Sequence, residues 1–255
     1  MLSRVGPATG RAMLSRLSSE ERVWHISTLN NTQKTFLVDA TTRYHKALAG
    51  SRAEQYLATR GLQGPTLERF RLGVVEDPMT GHEMFRGRLA IPYLRWSPGQ
   101  GWCVITMKFR CIEDHDCDEA HPKIGKYMSH PGGGVHIYNT MAVLENEHEI
   151  ALCEGELDAI TSCLVGIPAV GIPGTHNWQG FFGRIFKGYD KIWMFADRDD
   201  AKGQGMSFAG RLASEMKNLV IIPMPVGNDV NSTVVEYGPE VLLKAIGRDT
   251  HGSIG

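Results

Sequence analysis

Glu149-Ile150-Ala151-Leu152-Cys153-Glu154-Gly155-Glu156-Leu157-Asp158 sets the fold of this chain: four consecutive apolar residues, then an acid, a glycine and the start of a helical pattern. A short unbroken apolar run joined directly to a helix reads as a strand buried on both faces. The texture recurs in Ala169-Val170-Gly171-Ile172, Ile192-Trp193-Met194-Phe195 and Leu219-Val220-Ile221-Ile222. Glu156 to Val165 reads as the first covering helix. Gly205 to Lys217 reads as a second, with Met206, Ala209, Ala213 and Met216 on one packing face. Strands alternating with helices predict a mainly parallel α/β sheet over 146–235, and 236–255 reads as a C-terminal helix and tail.

In open α/β sheets ligands bind beyond the carboxyl ends of the strands. Glu154 directly follows the first strand, Asp197 and Asp199 follow the third, and Asp229 lies in the loop after the fourth. Period-2 alternation turns Asp197 and Asp199 the same way, so the two carboxylates can share a cation. Oxygen ligands suit Mg²⁺ or Mn²⁺ and not zinc. Glu156 and Asp200 read instead as ordinary loop or helix-start acids.

Upstream the texture differs. Ser18-Ser19-Glu20-Glu21 resembles a helix start, and Thr42 to Arg60 has helical spacing in Tyr44, Ala47, Leu48, Tyr56 and Leu57. Residues 1–45 form a helical extension in this reading. From Phe70 to Tyr138 the sequence favours strands and turns: Arg88 to Leu94, a turn at Ser97-Pro98-Gly99-Gln100-Gly101, then Trp102 to Arg110. This predicts a curved antiparallel sheet in a mixed α+β subdomain over 46–145. Gly132-Gly133-Gly134 has no strand-to-helix context and reads as a loop.

The chain has 255 residues with 27 Lys/Arg and 28 Asp/Glu, a net charge of −1, which hides an asymmetry. Residues 1–148 carry 18 basic against 15 acidic side chains, net +3, and residues 149–255 carry 9 against 13, net −4. Residues 84–112 contain Arg86, Arg88, Arg95, Lys108 and Arg110 with no acid, a candidate phosphate-binding surface. No apolar run is long enough for a membrane span. The Arg- and Ser-rich start to Leu17 is cut short by Glu20-Glu21 and is not read as a targeting signal. Five irregularly spaced cysteines fit a reducing cytoplasm better than a disulfide framework. Cys111, His115, Cys117 and His121 have zinc-ligand chemistry inside an acidic insertion. Zinc is not expected there, because the ligands are crowded and no second CxxC accompanies them.

Glu154-Gly155-Glu156-Leu157-Asp158 after one strand, with Asp197-Arg198-Asp199 43 residues later after another, resembles the Toprim domain of primases, topoisomerases, recombination-mediator proteins and some nucleases. Gly171-Ile172-Pro173-Gly174-Thr175 looks like the family's small-residue turn between the two motifs. Gly227-Asn228-Asp229-Val230-Asn231 looks like its later acidic motif, with Asn231 where the family often has an acid. The upstream half resembles the RNA polymerase domain of DnaG-type bacterial and phage primases. It does so through Tyr56 to Leu62, Phe70-Arg71-Leu72-Gly73, Phe85 to Pro92, Lys108-Phe109-Arg110 and Lys126-Tyr127-Met128-Ser129-His130-Pro131. Together the two halves cover residues 45–247.

The resemblance implies a primase catalytic core: a Toprim, Rossmann-like unit behind a mixed N-terminal subdomain, synthesising short RNA primers on single-stranded DNA during replication. Glu154, Asp197 and Asp199 would be catalytic and, with Asp229, would hold two or more Mg²⁺ or Mn²⁺ ions. Arg88, Lys108, Arg110, Lys126 and Asp158 would contact template or nucleotide. Ribonucleoside triphosphates, a replicative helicase and a separate template-recognition module are the implied partners, in a host bacterial cytoplasm if the chain is phage-encoded. Rival readings are a Toprim nuclease, using water in place of a 3′-hydroxyl, and a non-catalytic replication or recombination scaffold.

Overall fold

The computed structural model describes residues 29–97, 101–120, 125–198 and 204–248. The expected cap at Ser18 to Glu21 lies outside them. The first described helix, α1 (Asn31–Lys46), starts at a capping box: Asn30 Oδ1 accepts from Gln33 N, and Gln33 Oε1 accepts from Asn30 N, both at 2.9 Å. The helical stretch read over Thr42 to Arg60 is two helices. Helix α1 is capped at Ala47, Gly50 takes φ +75°, and Ser51 caps α2 (Arg52–Thr59). The periodicity ran through the break because Leu48 and Leu57 are both buried in one core.

A short α3 (Pro65–Arg69) leads to β1 (Gly73–Val74). Three more strands complete an antiparallel sheet in the order β1-β2-β3-β4: β2 (Leu89–Ser97), β3 (Gly101–Arg110) and β4 (Tyr127–Ser129). The long β2–β3 hairpin pairs Leu89 with Arg110 at one end and Ser97 with Gly101 at the other; a bulge between Tyr93 and Leu94 bends it. Ala90, Met107 and Phe109 pack under α1 with Leu37, Ala40 and Tyr44. Leu89, Ile91 and Tyr93 point into the central core.

After α5 (Met141–Glu145), reached past the short α4 (Cys117–Ala120), the second sheet begins. Strands β5 (Glu149–Cys153), β6 (Ala169–Gly171), β7 (Lys191–Ala196) and β8 (Leu219–Pro223) are all parallel, in the order β6-β5-β7-β8. Helices α6 (Glu156–Leu164) and α7 (Gln204–Glu215) follow β5 and β7. Ala151 and Cys153 face the central core with α6, while Ile150 and Leu152 face Phe208 and Leu212 of α7. Both faces are covered, which is why these strands read as continuous apolar runs. Helices α8 (Val230–Tyr237) and α9 (Glu240–Ala245) close the described chain. The boundary placed at 235/236 therefore falls inside a helix, and the break is at Gly238-Pro239.

The halves are joined by hydrogen bonds. Tyr138 and Gly171 exchange backbone bonds of 2.8 and 3.3 Å. On the first turn of α6, Glu156 is 2% exposed; its Oε1 accepts from the Tyr93 hydroxyl at 2.6 Å and pairs with the Lys108 ammonium. Glu156 is thus a buried link to the antiparallel sheet, not the ordinary surface acid expected of it.

Gly73 lets β1 lie against α1, since a Cβ there would stand 2.5 Å from the Tyr44 carbonyl carbon and 2.7 Å from His45 N. Those neighbours are backbone and cannot rotate away. Gly73→Ala is expected to lower unfolding free energy by roughly 1–3 kcal/mol. Gly210→Ala, in the exposed middle of α7 with open space around it, should raise it by roughly 0.5–1 kcal/mol. Urea denaturation of the two variants beside the parent checks both signs.

Candidate active site

Strands β5 and β7 are neighbours, but the chain reaches β7 only after placing β6 on the far side of β5. This makes the gap beyond their carboxyl ends the topological switch point of the sheet. Glu154 and Asp197 stand there, one residue past each strand, with Asp197 N donating to Glu154 Oε1 at 3.3 Å. Gly205, in the first turn of α7, completes the approach: a Cβ there would overlap Glu154 Oε1 and stand 2.6 Å from the Asp197 carbonyl oxygen. Sequence reading used Gly205 only as a helix start. The available signal was a glycine opening a helix just after an acidic strand end.

Asp199 and Asp200 lie outside the described residues. Asp229 caps α8 in a capping box, accepting from Ser232 N at 2.7 Å while its own N–H donates to Ser232 Oγ at 2.9 Å. Its charge reaches Asp158 on α6. Glu154 and Asp197 form an oxygen-only pair. A hard divalent cation fits such a pair, because Mg²⁺ is held by one or two carboxylates and takes its other oxygens from water and substrate phosphates.

Asp158 is buried, and its Oδ1 accepts from Asn231 N at 2.9 Å. Burial, and next Asp229, push its carboxyl up to about 7; Arg110 and Arg60 pull the other way. Asn231 explains its own departure from the family's acid. Its Nδ2 donates to the Arg60 carbonyl at 2.9 Å and to Thr161 Oγ1 at 2.8 Å, and its Oδ1 accepts from Arg60 Nη1 at 3.0 Å. An aspartate could not make the two donations and would add a charge beside Asp158.

The predicted cations divide. Arg110 and Lys126 line a cavity of about 800 Å³, together with Arg60, Arg52 and Tyr56. The Arg110 guanidinium lies 4.8 Å from the Tyr127 ring centroid and 5.7 Å from that of Tyr56. Burial, then Arg110 and Arg60, lower the Lys126 pKa, which marks a crowded positive corner. Arg88 and Lys108 differ from expectation. Arg88 is buried and donates from both terminal nitrogens to the Gly125 carbonyl at 3.1 Å, so it shapes the approach to β4. Lys108 neutralises Glu156. Arg60 was quoted only within a motif, although its contact with Asn231 puts it at the junction of cavity and acids.

No family model matches the chain. The gene 57 protein of Mycobacterium phage D29 is 44% identical over 163 residues, 64% of this chain and all of that one. Among solved structures, a DNA primase domain from Pseudomonas aeruginosa superposes with a TM-score of 0.65 at 24% identity, over 84% of this chain and 77% of that one. The RNA polymerase domain of Mycobacterium tuberculosis primase DnaG, in complex with double-stranded DNA, gives 0.65 at 20% identity over 84% and 79%. A DnaG primase catalytic domain bound to single-stranded DNA gives 0.63 at 20% over 83% and 79%. The chain has the fold of the DnaG catalytic core. Among the described residues no helix is long and apolar enough to cross a membrane.

The Lys108 and Glu156 side chains are 22% and 3% exposed. Removing one partner strands a buried charge, so Lys108→Met should cost roughly 3–5 kcal/mol. Adding Glu156→Gln should recover most of the loss, a coupling that a double-mutant cycle in urea measures. Asp158 supplies a second prediction. Folded, it keeps its proton between its ordinary 3.8 and about 7, a window in which the unfolded chain has lost it. The folded state then binds more protons, so its stability falls as pH rises through that window. Asp158→Asn keeps an acceptor for the Asn231 N–H, and unfolding free energy measured from about pH 4 to 7 should vary less steeply than in the parent.

Proposed function

The chain belongs to the same family as the gene 57 protein of Mycobacterium phage D29, and from its DnaG catalytic-core fold we propose that it is the catalytic core of a DNA primase, making short RNA primers on single-stranded DNA. One observation carries the proposal: Glu154 and Asp197 meet at the switch point of the parallel sheet, and Asp158 and Asp229 link that point to the cavity holding Arg110 and Lys126. An acidic site running into a basic one is what nucleotidyl transfer between phosphates and a polyanionic template requires.

In this reading Glu154, Asp197, Asp199 and Asp229 would hold Mg²⁺ or Mn²⁺. When bound, such ions neutralise charge that develops on the phosphates as pyrophosphate leaves. The residues of the chain do the positioning. Arg110, braced between two tyrosine rings, offers a planar fork to phosphate oxygens, and Lys126 offers a point charge. Held together, template and nucleotide align a 3′-hydroxyl with the next α-phosphate, which removes most of the entropic barrier. The partners in this scheme are single-stranded DNA, ribonucleoside triphosphates, a replicative helicase and a separate template-recognition module.

The test is primer synthesis on single-stranded DNA with labelled ribonucleotides and Mg²⁺ or Mn²⁺. The parent should yield short RNAs, and Asp197→Ala/Asp199→Ala should reduce them by about 100-fold or more. Metal-dependent DNA cutting without synthesis would move the assignment to a nuclease. Synthesis undiminished in the double variant would overturn the site.

A further inference from the structure

The sequence places Cys111, His115 and Cys117 in an insertion just past β3, and the structure folds that insertion back on itself. One donor atom from each of the three side chains lies within 4.8 Å of the other two. A tetrahedral zinc ion, with bonds of about 2.3 Å to sulfur and 2.0–2.1 Å to nitrogen, separates a sulfur ligand from a nitrogen ligand by about 3.6 Å. Cys111 Sγ and His115 Nε2 stand 3.6 Å apart. Both cysteines are buried and neither is in a disulfide, while the histidine is exposed at the rim. The crowding that argued against zinc in the sequence is the convergence that a three-ligand zinc site needs.

We propose that Cys111, His115 and Cys117 bind a zinc ion that fixes the 111–120 insertion as a wall of the basic cavity. Thiolate and imidazole ligands select zinc over the hard cations suited to Glu154 and Asp197. On binding, the two thiol protons leave to solvent, two Zn–S bonds and one Zn–N bond form, and water completes the tetrahedron. The ion carries two positive charges against two thiolates, so loading leaves the site neutral within an insertion rich in Glu113, Asp114, Asp116 and Glu119.

The anchor is rigid on the side that faces the cavity. Cys111 follows Arg110 directly, and its N–H donates to the Lys126 carbonyl at 2.8 Å. A zinc ion tying Cys111 to Cys117 would therefore fix the insertion against the two cations that the cavity presents. Neither of the other two buried or partly buried thiols of the parallel-sheet half matches this arrangement. Cys153 is packed in the central core, and Cys163 hydrogen-bonds with Asn139 and the Ala169 carbonyl.

The experiment uses the full chain, purified under reducing conditions and stripped of metal, with Zn²⁺ and Co²⁺ as probes. One zinc ion per chain should bind, and Co²⁺ in its place should show thiolate-to-cobalt charge-transfer absorption. Cys111→Ser/Cys117→Ser should abolish both. His115→Ala, at an exposed position where folding is not at risk, should weaken zinc binding by roughly tenfold or more, since loss of even an outer-shell partner commonly costs that much. Asp197→Ala/Asp199→Ala should bind zinc like the parent. The proposal is overturned by zinc stoichiometry and affinity unchanged in the cysteine and histidine variants, by failure of the reduced parent to bind zinc, or by an intact mass showing a Cys111–Cys117 disulfide. Each readout is independent of primer synthesis, so a failed primase assay would leave the zinc result interpretable.

Discussion

A buried carboxylate, Glu156, fixes how the two sheets meet. Its desolvation would be costly without compensation, and two strands of the antiparallel sheet supply it: the Tyr93 hydroxyl from β2 and the Lys108 ammonium from β3. Burial, followed by the Glu156 charge, pushes the Tyr93 hydroxyl well above its ordinary pKa, so it stays protonated and able to donate. Because Glu156 sits on the first turn of α6, anchoring it also fixes Glu154 before it and Asp158 after it. The acidic end of the parallel sheet is thereby held in register with the basic edge of the antiparallel sheet. Asn231 extends the same logic, bonding Asp158, Thr161 and Arg60 so that α8, α6 and α2 share one polar knot.

That junction also sorts the cations of a chain of net charge −1. Affinity for phosphates depends on which cations share one cavity, not on the sum. Lys108 is consumed by Glu156, and Arg88 by the Gly125 and Lys126 carbonyls. Arg110, Lys126 and Arg60 converge on one cavity, where burial and then the two arginines lower the Lys126 pKa. The cations that are spent hold in place the ones that converge.

The parallel sheet is legible because β5, β6 and most of β7 are covered on both faces, leaving continuous apolar runs. The acids at the ends of those runs follow from the same reading, since ligands of open α/β sheets bind just beyond the carboxyl ends of the strands. What stayed hidden depends on partners distant in sequence. Glu156 looks like any first-turn acid until Tyr93 is placed opposite it, and Arg88 looks like any surface arginine until β4 brings Gly125 beneath it. The break at Gly50-Ser51 is masked because Leu48, just past α1, and Leu57 of α2 are buried in one core. The convergence of Cys111, His115 and Cys117 is hidden for a related reason: spacing in an irregular loop does not say whether the loop turns back.

Two kinds of donor atom flank the cavity, and their chemistry keeps them separate. On the sheet side the ligands are carboxylate oxygens, suited to cations that exchange water and share phosphate oxygens. On the insertion side they are thiols and an imidazole that close on one another, suited to an ion that stays. In the proposed scheme a labile ion would serve a reaction in which phosphates arrive and leave, and a retained ion would serve a wall that should not move while they do. The division requires no selectivity filter beyond ligand type. It also gives the insertion after β3 a purpose that its acidic composition alone conceals: its charge would repel a template, so what it adds to the cavity is shape.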